Sequence, residues 1–305
     1  MASTQNGDRV WTVLDLLQWT TTHLKEQGIE SARLDAEVLL ARALDSSRLD
    51  LYLNYEQPVA EKERAIFREF VKKRAHERIP VSQLLGEREF WSLTFSVNSD
   101  VLTPRPETEI LVSAALDAMP DKDHPYRVLD LGTGSGAIAL SLASERPNAQ
   151  VTASDVSISA LKVAGINADQ LQLNDRVRFV EGSLFTAVPG ETFDLVISNP
   201  PYVAGSERST LPRELSHEPD VALFGGEDGY AVLKPLVAEV GNALNDGGLF
   251  LVELDPRQAD TVMDWCREAG LSSVSVLHDL AGHARAVTAQ SGAGKGEEQA
   301  QSNSG

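Results

Sequence analysis

Asn199-Pro200-Pro201-Tyr202 is the segment of this chain best suited to chemistry on a flat nitrogen group. It follows Phe193-Asp194-Leu195-Val196-Ile197-Ser198, an apolar run that reads as a buried strand. The two prolines cannot donate to a sheet ladder, so the chain must leave the sheet there. The side-chain carbonyl of Asn199 and the backbone carbonyl of Pro200 can both accept hydrogen bonds from one NH2 group. Tyr202 offers a ring to lie against a planar acceptor. Alone, the tetrapeptide reads equally well as a β-turn. At the carboxyl end of a strand in an open α/β sheet it would face the ligand crevice.

A second constellation lies upstream. Val128-Leu129-Asp130-Leu131-Gly132-Thr133-Gly134-Ser135-Gly136-Ala137-Ile138 puts a buried strand, a glycine turn and a helix start in immediate succession. Glycines at 132, 134 and 136 let backbone and ligand approach closely and allow positive φ. A dinucleotide fingerprint would place its third glycine one position later. The next strand, Gln150 to Ala153, leads to Asp155, whose carboxylate can accept from both hydroxyls of a ribose. The string Asp130 to Gly136 resembles motif I of the S-adenosylmethionine methyltransferases, which implies a methyl-sulfonium as the electrophile. An amide or aniline-like lone pair is delocalised and attacks such a carbon poorly unless it is held in line with its developing positive charge stabilised. Carbonyl acceptors aimed at the N–H bonds do both. The product nitrogen is acidic enough that no dedicated histidine base is required.

The elements that must position these residues follow from periodicity. From Val10 to about residue 79, apolar residues recur at three and four positions (Val13, Leu16, Leu17; Ala36, Leu39, Leu40, Ala43), predicting a small helical domain over 10–79. Its last helix is expected from Glu61 to Arg78. There Arg68, Lys72, Lys73, Arg74 and Arg78 suit the negative end of the helix dipole, with a docking face for an acidic or RNA-like partner as the other reading. Residues 80–103, with the aromatic and β-branched run Glu89 to Val97, read as a β-hairpin connector. Strands and helices then alternate over 104–289, the signature of an α/β domain with a mostly parallel sheet. Residues 1–9 and 290–305 are polar and expected to be disordered.

Composition narrows the function classes. Apolar residues make up 42% and charged residues 24%, close to the globular average. The net charge of −18 repels polyanions, which weighs against stable nucleic-acid binding without a local basic patch. The single cysteine, Cys266, cannot form an intrachain disulfide and reads as a buried spectator. The six histidines show no helix-spaced pair with an acid, so no metal site is expected, and His278 and His283 read as surface groups. Arg105 and Glu107 read either as borders of an acceptor pocket or as a fold-supporting ion pair, and Trp91 and Trp265 as packing residues. With no signal-like or membrane-spanning apolar run, a cytoplasmic location is expected.

Taken together these motifs resemble the release-factor glutamine methyltransferase family, from about Leu14 to Val287. The resemblance is carried by Leu85-Gly86 with Phe90-Trp91, Thr103-Pro104-Arg105-Pro106-Glu107-Thr108-Glu109, motif I, Asn199 to Tyr202, Glu218-Pro219 with Ala222-Leu223, and Gly225-Gly226-Glu227-Asp228-Gly229. It implies a Rossmann-like, seven-stranded class I methyltransferase domain behind an N-terminal helical domain that recognises substrate. It also implies S-adenosyl-L-methionine as cofactor, S-adenosyl-L-homocysteine as product, and a monomer acting on class I peptide chain release factors at the glutamine of their Gly-Gly-Gln tripeptide. Carried over by position, Gly132, Thr133, Gly134, Ser135, Gly136, Asp155, Leu184 and Asn199 would contact the cofactor. Asn199, Pro200, Pro201 and Tyr202 would hold the substrate amide, with Asn199, Pro200 and Tyr202 as the catalytic set. The chain departs from the family pattern at Gly182-Ser183-Leu184-Phe185, where an acid is usual, and at Glu253-Leu254-Asp255, where Glu-x-Gly is expected. The alternative reading is an N6-adenine-type methyltransferase acting on DNA or RNA, which would use the same tetrapeptide on an aromatic amine.

Overall fold

The computed structural model describes residues 10–292, so the termini at 1–9 and from 293 onward lie outside the described residues. Two compact units divide the chain, Met1–Gly86 and Glu87–Gly305.

The first unit is helical. Helix α1 (Val13–Glu26) opens with a capping box in which Thr12 and Asp15 satisfy each other's backbone N–H groups. Helix α3 (Arg48–Leu53) does the same with Ser47 and Asp50. Between and after them lie α2 (Ala32–Ala43) and α4 (Glu61–Lys72), and Leu17, Leu24, Leu39, Leu40 and Phe67 form the core. The helix expected to run to Arg78 changes form at Lys72 and continues as a π-helix over Lys73–Glu77, ending at Arg78 in the left-handed region. Arg74, expected among the cations at the helix's negative end, is buried in this π-helical turn, where its Nε donates to Asp35 Oδ2 at 2.7 Å. Residues 80–86, expected in the connector, fold with the helices instead. Helix α5 (Val81–Leu85) packs Val81, Leu84 and Leu85 on the helical core.

The second unit opens with an antiparallel hairpin, β1 (Glu87–Phe90) and β2 (Leu93–Ser96). Its two turn residues, Trp91 and Ser92, both have positive φ (51° and 58°), a conformation usually left to Asn or Gly. Helix α6 (Glu109–Ala118) and helix α7 (Ala137–Glu145) hold it there. Glu109 accepts from the Trp91 backbone N–H at 2.9 Å, and Glu145 accepts from the indole N–H at 3.0 Å.

The remaining strands are β3 (Arg127–Leu131), β4 (Gln150–Asp155), β5 (Val177–Glu181), β6 (Phe193–Ser198), β7 (Leu244–Glu253), β8 (Ser272–His278) and β9 (Ala284–Gln290). They form one seven-stranded sheet in the order β5-β4-β3-β6-β7-β9-β8, with β9 antiparallel to both neighbours. Side chains alternate between two cores. Val128, Leu195, Ile197 and Leu251 join α6 and α7 on one face. Leu129, Leu131, Val196, Phe250 and Val252 join helices α10 (Leu233–Ala243) and α11 (Ala259–Glu268) on the other. Burial on both faces explains why these strands read as continuous apolar runs. Cys266 lies fully buried in the second core. Among the described residues no helix is long and apolar enough to cross a membrane.

Helix α8 (Ile158–Gln170) links the hairpin to the sheet through the fully buried Asn167. Its Oδ1 accepts from Ser96 N–H at 2.6 Å, and its Nδ2 donates to the carbonyls of Ser96 (3.1 Å) and Ser135 (2.8 Å). Asn167→Ala would strand these groups in the interior, and should cost about 3 kcal/mol of unfolding free energy. Urea unfolding of the two proteins measures the difference, and a loss below about 0.5 kcal/mol would remove this role.

Candidate active site

Strand β3 ends at Leu131, directly opposite Ser154 of β4 and Ser198 of β6, so the segments that follow all leave the sheet at one level. The backbone N–H groups of Gly132 and Thr133 both donate to the Ser154 carbonyl at 2.9 Å, turning the chain sharply. Gly132 and Gly134 have φ of 72° and 56°, and a Cβ built on either meets no atom within 4 Å. Asp155 Oδ2 accepts from Gly134 N–H and Oδ1 from Ser157 N–H, both at 2.9 Å. Each carboxylate oxygen keeps a lone pair for a further donor.

A cavity of about 420 Å³ opens at this edge. Of the residues expected from sequence, Gly132, Thr133, Gly134, Ser135, Asp155, Leu184, Asn199, Pro200 and Pro201 line it. Leu184 is held in the left-handed region (φ 47°), at the start of a short 3-10 turn capped by the Thr186 hydroxyl on the Ser183 carbonyl. Two expected residues are placed elsewhere. Gly136 does not line the cavity. A Cβ there would stand 2.9 Å from Leu140 Cδ1 and 3.2 Å from Ala164 Cβ, so this glycine lets α7 pack against α8. Tyr202 does not line it either. Its ring packs in the core beside α10 and α11, and its hydroxyl donates to Glu253 Oε1 at 3.2 Å.

The Asn199–Tyr202 segment is braced from behind by the 223–229 loop. Val203 N–H donates to Leu223 O (3.0 Å) and Gly225 N–H to Val203 O (2.9 Å), while Gln258 Nε2 reaches the carbonyls of Tyr202 and Gly229. A Cβ on Gly225 would lie 2.5 Å from Pro201 O and 2.6 Å from Gly229 O, so backbone packs on backbone here. At the front, Asn199 Nδ2 donates to Thr108 Oγ1 at 3.1 Å. That leaves the side-chain carbonyl as the end Asn199 offers to a ligand.

Two buried carboxyls underlie the site. Burial pushes Asp130 up to about 7, opposed by the Thr133 hydroxyl (2.7 Å) and the Ala139 N–H (3.2 Å) and reinforced by the charge of Asp155. Burial likewise pushes Glu253 up to about 7, opposed by the hydroxyls of Thr108 and Tyr202. The same burial, with Glu253 beside it, raises the Tyr202 phenol. Arg105 fits both readings of it, since it lines the cavity and pairs with buried Glu218 at 2.5 Å. Sequence reasoning missed Thr108, Val156, Val221 and Val232 as cavity residues. Val156, next to Asp155, and Thr108, within the 103–109 landmark, carried signals that could have found them.

Residues 15–86 match the family described as the PrmC N-terminal domain, and residues 107–227 the methyltransferase small domain. The chain is 43% identical over 296 residues to the release factor glutamine methyltransferase of Rhodopirellula baltica, covering 95% of this chain and 99% of that protein. The chain belongs to the release factor glutamine methyltransferase family. The Deinococcus radiodurans member is 41% identical over 280 residues, covering 92% of this chain and 99% of that one. Among solved structures, the hMettl16 catalytic domain in complex with a MAT2A 3'UTR hairpin superposes with a TM-score of 0.54 at 17% identity, over 68% of this chain and 78% of that chain. That likeness extends to the fold alone. Membership makes this chain a methyltransferase, with the cavity at the sheet edge as its candidate centre.

Gly225→Ala would push the Pro201 carbonyl and with it the tetrapeptide. Displacement of a positioning segment by a fraction of an ångström should lower kcat by up to about a hundredfold, and a methyl-transfer assay giving an unchanged kcat would discount the brace. Asp130 makes a separate prediction. Its folded value lies above the ordinary carboxylate range, so between that range and about 7 the folded state holds a proton the unfolded state lacks. Its contribution to stability therefore falls as pH rises through that window. Asp130→Asn does not titrate, so its melting temperature should gain on the wild type between pH values of about 5 and 8. A difference that does not move with pH would contradict this.

Proposed function

We propose that this chain transfers a methyl group from S-adenosyl-L-methionine to the side-chain amide nitrogen of the glutamine in the Gly-Gly-Gln tripeptide of class I peptide chain release factors, releasing S-adenosyl-L-homocysteine. The single observation that carries the chemistry is the pinning of Asn199: with Nδ2 on Thr108, its carbonyl oxygen is the end presented to the cavity. The substrate rests on family membership.

The residues present fit the cofactor. Gly132 and Gly134 leave open space beside a cavity-lining backbone, Asp155 retains lone pairs for ribose hydroxyls, and Leu184 and Val156 supply an apolar wall for a base. When bound, S-adenosylmethionine supplies an electrophilic methyl on a positively charged sulfur. Asn199 Oδ1 and the Pro200 carbonyl accept the two N–H groups of the glutamine amide. They fix its plane and stabilise the positive charge that grows on nitrogen as the new C–N bond forms. Apolar lining residues such as Phe90, Leu102 and Ile138 limit water around the reacting groups. The methylated nitrogen is strongly acidic and sheds its proton without a dedicated base. Tyr202 acts through the architecture behind the tetrapeptide rather than on the amide. The net charge of −18 supports a protein acceptor over a polyanion, and this reading places the protein in the cytoplasm as a monomer.

The test is labelled methyl transfer to a purified class I release factor, beside a variant whose tripeptide glutamine is alanine, with RNA and DNA as parallel acceptors. Label should enter the glutamine-bearing factor alone, and label only on nucleic acid would overturn the reading. Asn199→Ala should keep cofactor affinity within a few-fold while kcat falls by about 10²–10³. Retained transfer would remove Asn199 from the mechanism.

A further inference from the structure

A fully exposed leucine gains nothing for the fold that carries it. Among the described residues of the second unit, the exposed large apolar side chains are Val156, Ile158, Ile166, Val221 and Leu280, and Leu280 is the extreme, at 110% of its reference area against 55% for Val156. Scattered singly they would need no explanation, but four of the five stand at one edge of the sheet. Val156 and Ile158 follow the end of β4, Val221 lines the cavity, and Leu280 lies in the turn between β8 and β9. The register fixes where that turn projects. Leu131, Ser198, Val252 and Val287 stand abreast on β3, β6, β7 and β9. Because β9 runs antiparallel to β7, its start at Ala284 lies three residues, roughly 10 Å, past that level, on the side where the tetrapeptide leaves the sheet. Sideways, β9 is two strand spacings from β6, again roughly 10 Å.

The turn that carries Leu280 is tied down. Asp279 Oδ1 accepts from the N–H groups of Ala281 and His283, both at 2.9 Å, and Oδ2 accepts from Arg285 Nε at 2.8 Å. Asp279 N–H donates to His283 O and Gly282 N–H to Asp279 O, also at 2.9 Å, and Gly282 takes a φ of 83° to close the loop. A side chain held out on such a turn loses little freedom when a partner covers it. We infer that Leu280 is an anchor for the protein that carries the glutamine: an apolar spot on the release factor, outside the tripeptide, seats against it while the amide enters the cavity. The inference rests on the proposed methylation of a release factor. The two offsets of roughly 10 Å put Leu280 out of reach of the amide itself. They fall inside the footprint of a protein partner, since a standard interface covers about 800 Å² on each side, a patch roughly 30 Å across. Val156 and Val221, exposed in the cavity lining, add apolar surface within the same footprint.

The experiment measures kcat and KM of the full chain for a full-length class I release factor and for a short peptide containing Gly-Gly-Gln, with Leu280→Asp, Leu280→Ser and Leu280→Met, alongside melting temperature, cofactor affinity and sedimentation. Leu280→Asp and Leu280→Ser should each raise KM for the factor by about tenfold, the size of truncating an interface anchor, with kcat within about twofold. Leu280→Met keeps the apolar reach and should stay within about threefold of the wild type. Melting temperature and cofactor affinity should not move, because the side chain belongs to neither core nor cavity. Kinetics on the peptide should match the wild type, since a peptide of that length does not extend to the turn. A factor KM within about twofold of the wild type in both polar variants overturns the inference. So does an equal loss on peptide and factor, and so does a wild-type self-association that the polar variants abolish, which would give the leucine to a second copy of the chain. If the peptide is not an acceptor, the factor alone decides, and a fall in kcat with KM unchanged overturns the inference. Wild-type protein that leaves the glutamine unlabelled overturns the functional reading itself, a distinct result from an active wild type whose Leu280 variants behave normally.

Discussion

Parallel pairing of β3 with β4 on one side and β6 on the other is the constraint from which the site follows. Leu131, Ser154 and Ser198 stand abreast in the register, so three chain segments leave the sheet side by side. Each carries a different instrument: a glycine turn, a carboxylate and a carbonyl-bearing tetrapeptide. A slip of one residue in any strand would invert which side chains face each core, and both faces are buried, so the register is strongly specified. The Ser154 carbonyl then accepts the first two N–H groups of the glycine turn, and Ser198 Oγ donates to the Leu131 carbonyl at 2.7 Å, closing the strand ends onto one another.

Beneath that edge the unit buries two carboxyls, an arrangement that works against stability unless each is hydrogen-bonded. Asp130 holds the Thr133 hydroxyl and the first turn of α7. Glu253 accepts from the Tyr202 hydroxyl. Asp130 thereby fixes the direction of the Thr133 hydroxyl, which lines the cavity. The apolar cores alone would hold the sheet but would leave rotatable hydroxyls and amides around the cavity free to choose.

What was legible in the sequence was what depends on neighbours in the chain. The strand, glycine turn and helix start at 128–140, the acid at Asp155 and the proline exit at Asn199 are local patterns, and all of them reach the cavity except Gly136. That residue and Tyr202 stand outside the cavity lining, and their surroundings come from afar. Gly136 is claimed by Ala164 of α8, and Tyr202 by Glu253 and Gln258. The link from Asn199 to Thr108 spans 91 residues and has no local signature. Arg74, expected among the cations at the helix's negative end, is instead buried in a π-helical turn and paired with Asp35, a partner 39 residues away that no local pattern announces. The seven-stranded sheet itself was expected only from the family resemblance.

Asn167 joins the Ser96 backbone of the hairpin to the carbonyl of Ser135 within the glycine turn. Local opening of the hairpin and loosening of that turn are thus coupled through the Asn167 side chain. Occupancy of the cavity, by steadying residues 132–135, must slow amide hydrogen exchange in β2, and by reciprocity of linkage a looser β2 must weaken the occupant's hold by the same factor.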